Sequence, residues 1–244
     1  MRLAVLSDIH GNLVALEAVL ADLRHRAPDA VVNLGDLVTS PLWPRETFEL
    51  LEMLRLPTVR GNHDRWIAAP PDNDPSPSIR FTHASLSPAQ REWLGALPPS
   101  VTVADGILAV HGTPASDVEY LPEQKVDGRL ALASQGVLSA RLEGISAGLV
   151  LCGHSHLQHA AFASGGRLVV NPGSVGHPRS VDNEDRARVE AGSPHARYAV
   201  LTRRAGQWTA EMIALGYDWS AAAERARSHG RADWADAFLA GCSA

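Results

Sequence analysis

Residues 3–12 read LAVLSDIHGN. Leu3–Leu6 is an apolar run of strand length, and Asp8, His10 and Asn12 follow directly at its carboxyl end. Residues 12–25 then change period: Leu13, Leu16, Ala18, Leu20 and Leu23 share one helical face, with Asn12 as N-cap. A strand, a polar turn and a helix make the opening unit of an α/β fold. The same phrase recurs. Ala30–Leu34 runs into Gly35-Asp36, and Thr58–Arg60 into Gly61-Asn62-His63-Asp64. Ile107–Val110 runs into His111-Gly112, and Leu149–Cys152 into Gly153-His154-Ser155-His156. The carboxyl ends of strands are where open α/β sheets bind ligands. Glycine beside four of these turns lets the backbone bend sharply and approach a ligand closely.

The rest of the chain fills in the frame. Helices are expected over Arg45–Leu54, Ser87–Leu97, within 128–142, and over 218–228 and 231–240. Pro57–Val59 is expected as a short strand, and Asp105-Gly106, Ser164-Gly165-Gly166 and Ala205-Gly206 mark hairpins. Strand–helix alternation followed by hairpins predicts a mixed central sheet faced by a second sheet, with helices outside. No linker divides residues 1–244, so a single domain is expected. Ala69–Pro77 and Ser180–His195 break the periodicity; they are expected as surface loops, with a substrate-facing lid as the alternative.

Composition narrows the function. Of 244 residues 45% are hydrophobic and 20% charged, a globular balance that excludes disorder. The net charge of −5, with no Lys/Arg block, argues against an extended nucleic-acid surface or a grip on anionic membrane. Cys152 and Cys242 are too few for a disulfide framework. Residues 1–7 are too short for a signal-peptide core and no stretch approaches a membrane span, so a soluble cytoplasmic protein is expected. Oligomeric state is left open. The 11 histidines are the unusual feature, and several sit in the turns just described.

Carboxylate, imidazole and amide oxygen without thiolate suit Mn²⁺, Fe, Zn²⁺ or similar ions. Eight such groups exceed what one ion needs and fit two ions sharing a bridging carboxylate. Such a pair clamps the attacking and leaving oxygens of a phosphoryl displacement and acidifies the water between the ions.

In order and spacing, Asp8-x-His10, Gly35-Asp36, Gly61-Asn62-His63-Asp64, His111 and Gly153-His154-Ser155-His156 resemble the calcineurin-like metallophosphoesterases. Asp8-Ile9-His10-Gly11-Asn12 and Asn171-Pro172-Gly173-Ser174-Val175-Gly176 bring the likeness nearest to the bacterial branch of small phosphodiesterases. The likeness spans most of residues 1–215. It implies a four-layer α/β/β/α sandwich of two mixed β-sheets flanked by helices. It also implies two divalent metal ions, Mn first and Fe, Zn, Ni or Co as alternatives. By the same resemblance Asp8, His10 and His156 hold one ion, Asn62, His111 and His154 the other, and Asp36 bridges them. A metal-bridging hydroxide would attack the ester, with His63 as general acid or phosphate-positioning group and Asp64 orienting His63 or a neighbour. Asn12 and Arg179 are the candidate substrate contacts, although simple capping and a solvated surface are their plainer uses. Arg65, His83 and His177 are further candidates by position. His25, His159, His195 and His229 match no motif and are expected at the surface.

A small phosphodiester, nucleotide-like in one version, is the expected substrate. Protein phosphatases and dinucleoside tetraphosphatases of the superfamily carry Asp-Arg-Gly after the Gly-Asp motif, supplying Arg to a highly charged phosphate. Here Asp36 is followed by Leu37-Val38-Thr39-Ser40-Pro41, and the first arginine is Arg45. A diester carries less charge and needs less countercharge, so a phosphomonoesterase or dinucleoside polyphosphate hydrolase is the second choice. A non-catalytic scaffold, as in the retromer subunit of this fold, should have lost ligands, and all seven positions are present.

Overall fold

The computed structural model describes residues 1–70, 76–181 and 188–241. The elements in chain order are β1 (Arg2–Leu6), α1 (Leu13–Arg26), β2 (Ala30–Asn33), α2 (Pro44–Leu54), α3 (Asn62–Ala68), α4 (Pro77–Ser85) and α5 (Pro88–Ala96). They continue with β3 (Ser100–Ala104), β4 (Ile107–Val110), β5 (Glu123–Val126), β6 (Arg129–Leu132), α6 (Gln135–Arg141) and β7 (Leu149–Leu151). The last are β8 (Gln158–Ala163), β9 (Arg167–Pro172), β10 (Arg179–Val181), β11 (Arg188–Glu190), β12 (Ala196–Arg204), β13 (Gln207–Leu215), α7 (Trp219–Ser228) and α8 (Ala232–Ala240).

Two mixed sheets stack face to face. One has the order β13-β12-β1-β2, parallel only between β1 and β2. The other has the order β3-β4-β7-β9-β8, with β4, β7 and β9 parallel. Period-two alternation sets the layers. Leu3 and Val5 point into the space between the sheets, against Ala109, Leu149, Leu151 and Val170. Ala4 and Leu6 point the other way, into the cluster under α1 and α2. In β7, Leu149 and Leu151 face the inner core, while Val150 and the buried Cys152 pack towards α6. The result is the α/β/β/α sandwich expected from the sequence.

The differences have local causes. On α1 the buried residues are Ala15, Leu16, Val19 and Leu23. Leu13, Ala18 and Leu20 are only partly covered, Leu20 packing against the core under α1 and α2, while Val14 packs against the α7–α8 cluster. Pro57–Val59 contributes a single parallel bridge, Asn33 to Thr58, rather than a strand. The helix within 128–142 shrinks to α6, since β5 and β6 form a hairpin through Asp127-Gly128, both at positive φ (49° and 74°). In Ala69–Pro77, residues 71–75 lie outside the described residues; Ser76 caps α4 by accepting from Ile79 N. In Ser180–His195, residues 182–187 lie outside them too, bracketed by the β10–β11 pair. Among the described residues no helix is long and apolar enough to cross a membrane.

Candidate metal centre

The turns that follow β1, β2, β4 and β7, together with the start of α3, meet at one end of the sandwich. Backbone pairing continues past the strands and locks them together. Asp8 N donates to Gly35 O, His10 N to Asp36 O, and Gly11 N to Leu37 O, each at 3.0 Å. Gly153 N donates to His111 O at 2.7 Å, and His154 N to Asp8 Oδ2 at 3.2 Å, which ties the two sheets' turns to each other. Asp8, His10, Asp36, Asn62, His111 and His156 are all buried.

The imidazole hydrogens can be assigned from their partners, because a carbonyl oxygen only accepts. His10 Nδ1 donates to Thr39 O at 3.1 Å, and His156 Nδ1 to His177 O at 3.0 Å. In its neutral form each ring then presents a lone pair at Nε2. Those two Nε2 atoms lie 3.1 Å apart, and the buried Asp8 Oδ1, which has no hydrogen-bond partner among the described residues, is 3.4 Å from His156 Nε2 and 4.0 Å from His10 Nε2. Three electron-rich atoms facing one another need a cation between them. The second group repeats the pattern. His111 Nδ1 donates to Leu34 O at 2.7 Å, so Nε2 faces Asn62 Oδ1 at 2.9 Å and Asp36 Oδ2 at 3.4 Å. Asp36 Oδ2 is also 3.8 Å from His10 Nε2, between the two groups. His154 donates from Nε2 to Val118 O at 3.1 Å, leaving Nδ1 as its free donor atom. The ligand atoms of Asp8, His10 and His156, and those of Asp8, Asp36 and His111, all fall within 4.8 Å of one another. The donor set fits metal ions.

Electrostatics agree with that fit. Burial acts to raise the Asp8 carboxyl, but the neighbouring His156 ring prevails and brings it to about 2. Burial lowers His10 to about 3, against the pull of Asp36, so its ring is a neutral ligand. For His111 burial also acts downward, and Asp36 reverses it to about 10, so the space beside the Asp36 carboxylate favours positive charge.

Asp8, His10, Asp36, His154 and His156 have φ of 54°, 47°, 56°, 70° and 62°. The left-handed region costs about 1–2 kcal/mol per residue with a side chain. Such strain gathered at one spot is the mark of a functional constraint rather than of packing.

A sequence profile of the calcineurin-like phosphoesterase superfamily domain matches residues 1–193. The chain belongs to that superfamily. A metallophosphoesterase from Sphaerobacter thermophilus is similar, with 27% identity and a TM-score of 0.75 over 99% of this chain and 100% of that one. A hypothetical protein from Pyrococcus horikoshii shares the fold, at 21% identity and a TM-score of 0.76 over 100% and 99% of the two chains. An uncharacterised protein from Methanocaldococcus jannaschii is 27% identical over 88% of this chain and 98% of its own. For a calcineurin-like phosphoesterase, the coarse activity is that of a metal-dependent phosphoric ester hydrolase.

Around the centre lies a cavity of about 660 Å³, with His63, Trp66, Tyr120, Arg179 and Trp234 among its walls. His63 is the second residue of α3, its backbone N donates to Asp36 Oδ1 at 2.9 Å, and its ring lies 5.2 Å from that of His10. Burial holds its imidazole below the usual value despite the opposing Asp36. Asp64 does not reach His63. Its two oxygens accept from the backbone N of Asp36, Leu37 and Gly61 at 2.9–3.0 Å, so it fastens the Asp36 turn to the Asn62 turn. Burial, with Asp36 nearby, pushes its carboxyl up to about 7.

Of the substrate candidates, Arg179 lines the cavity and Asn12 does not. Asn12 is fully buried, accepts from Ala15 N, and donates to Gly176 O and the Tyr217 hydroxyl, which consumes its amide in capping. Arg65 forms a two-pronged pair with Asp117, and His83 stands apart from the cavity wall. His177 does reach the site, its ring tilted by 33° against that of Trp234 with centroids 3.9 Å apart. His25 is exposed, but His159, His195 and His229 are half-buried, each with a hydrogen-bond partner. Sequence reasoning missed Tyr120, which stacks on His154 at 5.0 Å, and Trp234 of α8. Neither sits in a motif, and no local signal marks them.

Proposed function

We propose that this calcineurin-like phosphoesterase is a dinuclear phosphodiesterase with Mn²⁺ as its first-choice metal. Asp8, His10 and His156 hold one ion, Asn62, His111 and His154 the other, and Asp36 serves both. The observation that carries this reading is the opposed lone pairs of His10, His156 and Asp8 beside the His111–Asn62–Asp36 group. Two bound ions supply the nucleophile and the positive charge for an in-line displacement at phosphorus. The protein's own part is to fix that geometry and keep it partly dry. His63, on the cavity wall, orients the phosphate and gives a proton to the departing oxygen.

Diester preference rests on the missing Asp-Arg-Gly after Asp36. Arg60, which could have replaced it, donates to Gly95 O, and Arg65 is held by Asp117. One observation favours the second reading, a more highly charged monoester or dinucleoside polyphosphate: Lys125, Arg141, Arg179 and Arg231 all line the cavity. Residues 1–244 act as one domain in this proposal, supported by Val14, Leu42 and Trp43 packing into the α7–α8 cluster. A cytoplasmic location fits the two cysteines. The deciding experiment compares kcat/KM for bis(p-nitrophenyl) phosphate, p-nitrophenyl phosphate and a dinucleoside tetraphosphate in the presence of Mn²⁺. A higher value on the diester is expected; a clear preference for either of the others overturns the diester assignment.

A further inference from the structure

Directly beneath the metal-ligating turn lies a buried acid that the proposed chemistry does not use. Glu123, the first residue of β5, is 0% exposed. Its Oε1 accepts from Ser155 Oγ at 2.8 Å and from His159 Nδ1 at 2.7 Å. Its Oε2 is buried with no hydrogen-bond partner among the described residues. No Lys or Arg forms a salt bridge with it there. As a contribution to stability this is a poor arrangement: the His159 ring is its one ion-pair contact among the described residues, and a buried carboxylate so placed is often no more stabilising than an apolar side chain of its size.

What the acid touches gives it a use. Ser155 stands between His154 and His156, whose φ of 70° and 62° put both in the left-handed region. A serine flanked by two such residues is one point at which the turn can be held, beside the bonds that His154 N makes to Asp8 and His156 Nδ1 to His177 O. Ser155 is itself 0% exposed, and Asn171 Nδ2 donates to its Oγ at 3.0 Å and to Gly153 O at 2.7 Å. A hydroxyl that donates to a carboxylate makes a short, strong and directional bond. The neighbouring segment grips the same turn at two more points: Val118 O accepts from His154 Nε2, and the Tyr120 ring stacks on His154.

We propose that Glu123 is a positioning residue of the metal centre, which holds the His154–His156 turn in its ligating shape through Ser155, with His159 fixing the carboxylate. This rests on the two-metal reading above. It assigns a role to a residue outside every motif of the metal site.

The test uses the full chain, stripped of metal with a chelator and titrated with Mn²⁺ by calorimetry, with folding followed by circular dichroism. Removing an outer support of a metal ligand typically costs about 10–100-fold in metal affinity. That loss is expected for Glu123→Ala, with the fold retained. Glu123→Gln keeps one carbonyl oxygen to accept from both Ser155 and His159, with the new amide group at the unpartnered Oε2 position, so most of the affinity should return. Ser155→Ala should repeat the loss, and the double variant should bind no more weakly than either single one. Wild-type affinity in a folded Glu123→Ala, or losses that add in the double variant, overturns the proposal. Should Glu123→Ala fail to fold, unchanged affinity in Ser155→Ala overturns it instead, and reduced affinity restored in Glu123→Gln supports it. A wild-type chain that takes up no Mn²⁺ refutes the metal reading itself, which is a different result from any comparison between variants.

Discussion

Gly61→Ala adds one carbon and removes no proposed ligand, yet it should disable the centre. The backbone is not the obstacle, since Gly61 has φ −83°, open to any residue. The obstacle is Asp36: the new Cβ would stand 2.1 Å from its Oδ1 and 2.5 Å from its backbone N. Ordinary contact begins near 3.4 Å, so the carboxylate must retreat by about 1.3 Å and the amide by about 0.9 Å. The amide has no room to do so freely, because Asp64 holds it together with Gly61 N. Giving up one such bond to a charged group costs about 1.5–3 kcal/mol. At roughly 2–4 °C per kcal/mol for a chain of this size, the melting temperature should fall by about 3–12 °C. A displacement near 1 Å at a reacting centre costs on the order of 10²-fold in rate. Mn²⁺ calorimetry, a thermal melt and kcat/KM on bis(p-nitrophenyl) phosphate read all three. Wild-type values for metal affinity and turnover in Gly61→Ala would refute the placement of Asp36 against the Asn62 turn.

Three further outcomes are expected. Asp36→Asn should lose metal and activity together, as elemental analysis and a parallel assay will show, because one carboxylate serves both ions; retention of two ions per chain would count against the bridge. His63→Ala should keep its metal content but lose about 10²–10⁴-fold on a nucleotide diester, and clearly less on the aryl ester, whose phenoxide departs without a proton; equal losses would make His63 a phosphate binder instead. Asp64→Asn offers one acceptor where the carboxylate serves three backbone N–H groups, so it should destabilise by about 2–4 kcal/mol; an unchanged melting temperature contradicts that role.

The strands and the polar turns after them were legible because both signals are local. A run such as Leu149–Cys152 followed by Gly153-His154 states its burial and its chemistry within a few residues. Asp127-Gly128 carried an equally local hairpin signal, but Leu130, Leu132, Val137 and Leu138 after it also suit a helical segment, which hid β5 and β6. Asn12 illustrates the opposite limit: its type fits a cap and a substrate contact equally, and only the position of Tyr217 and Gly176 decides between them. Trp234 reaches the cavity from more than two hundred residues beyond His10, through the packing of α8, which no spacing along the chain encodes.

The convergence of the turns has a mechanical consequence. Asp8, His10, Asp36 and Asn62 are delivered by the sheet containing β1, whereas His111, His154 and His156 belong to the sheet containing β7. The two leaves are also joined by hydrogen bonds, among them His154 N to Asp8 Oδ2 and Gln158 Nε2 to Tyr198 O, and by the apolar seam between the sheets. On the two-metal proposal, a filled centre would act as a clasp at one end of that seam, and the leaves would not part until the clasp lets go. Metal supply would thus govern how long a molecule survives heat or a protease, with survival rising as free ion exceeds its dissociation constant. Chelation would loosen the clasped edge first and leave the opposite end, with its Asp105-Gly106 and Ala205-Gly206 hairpin turns, to open later.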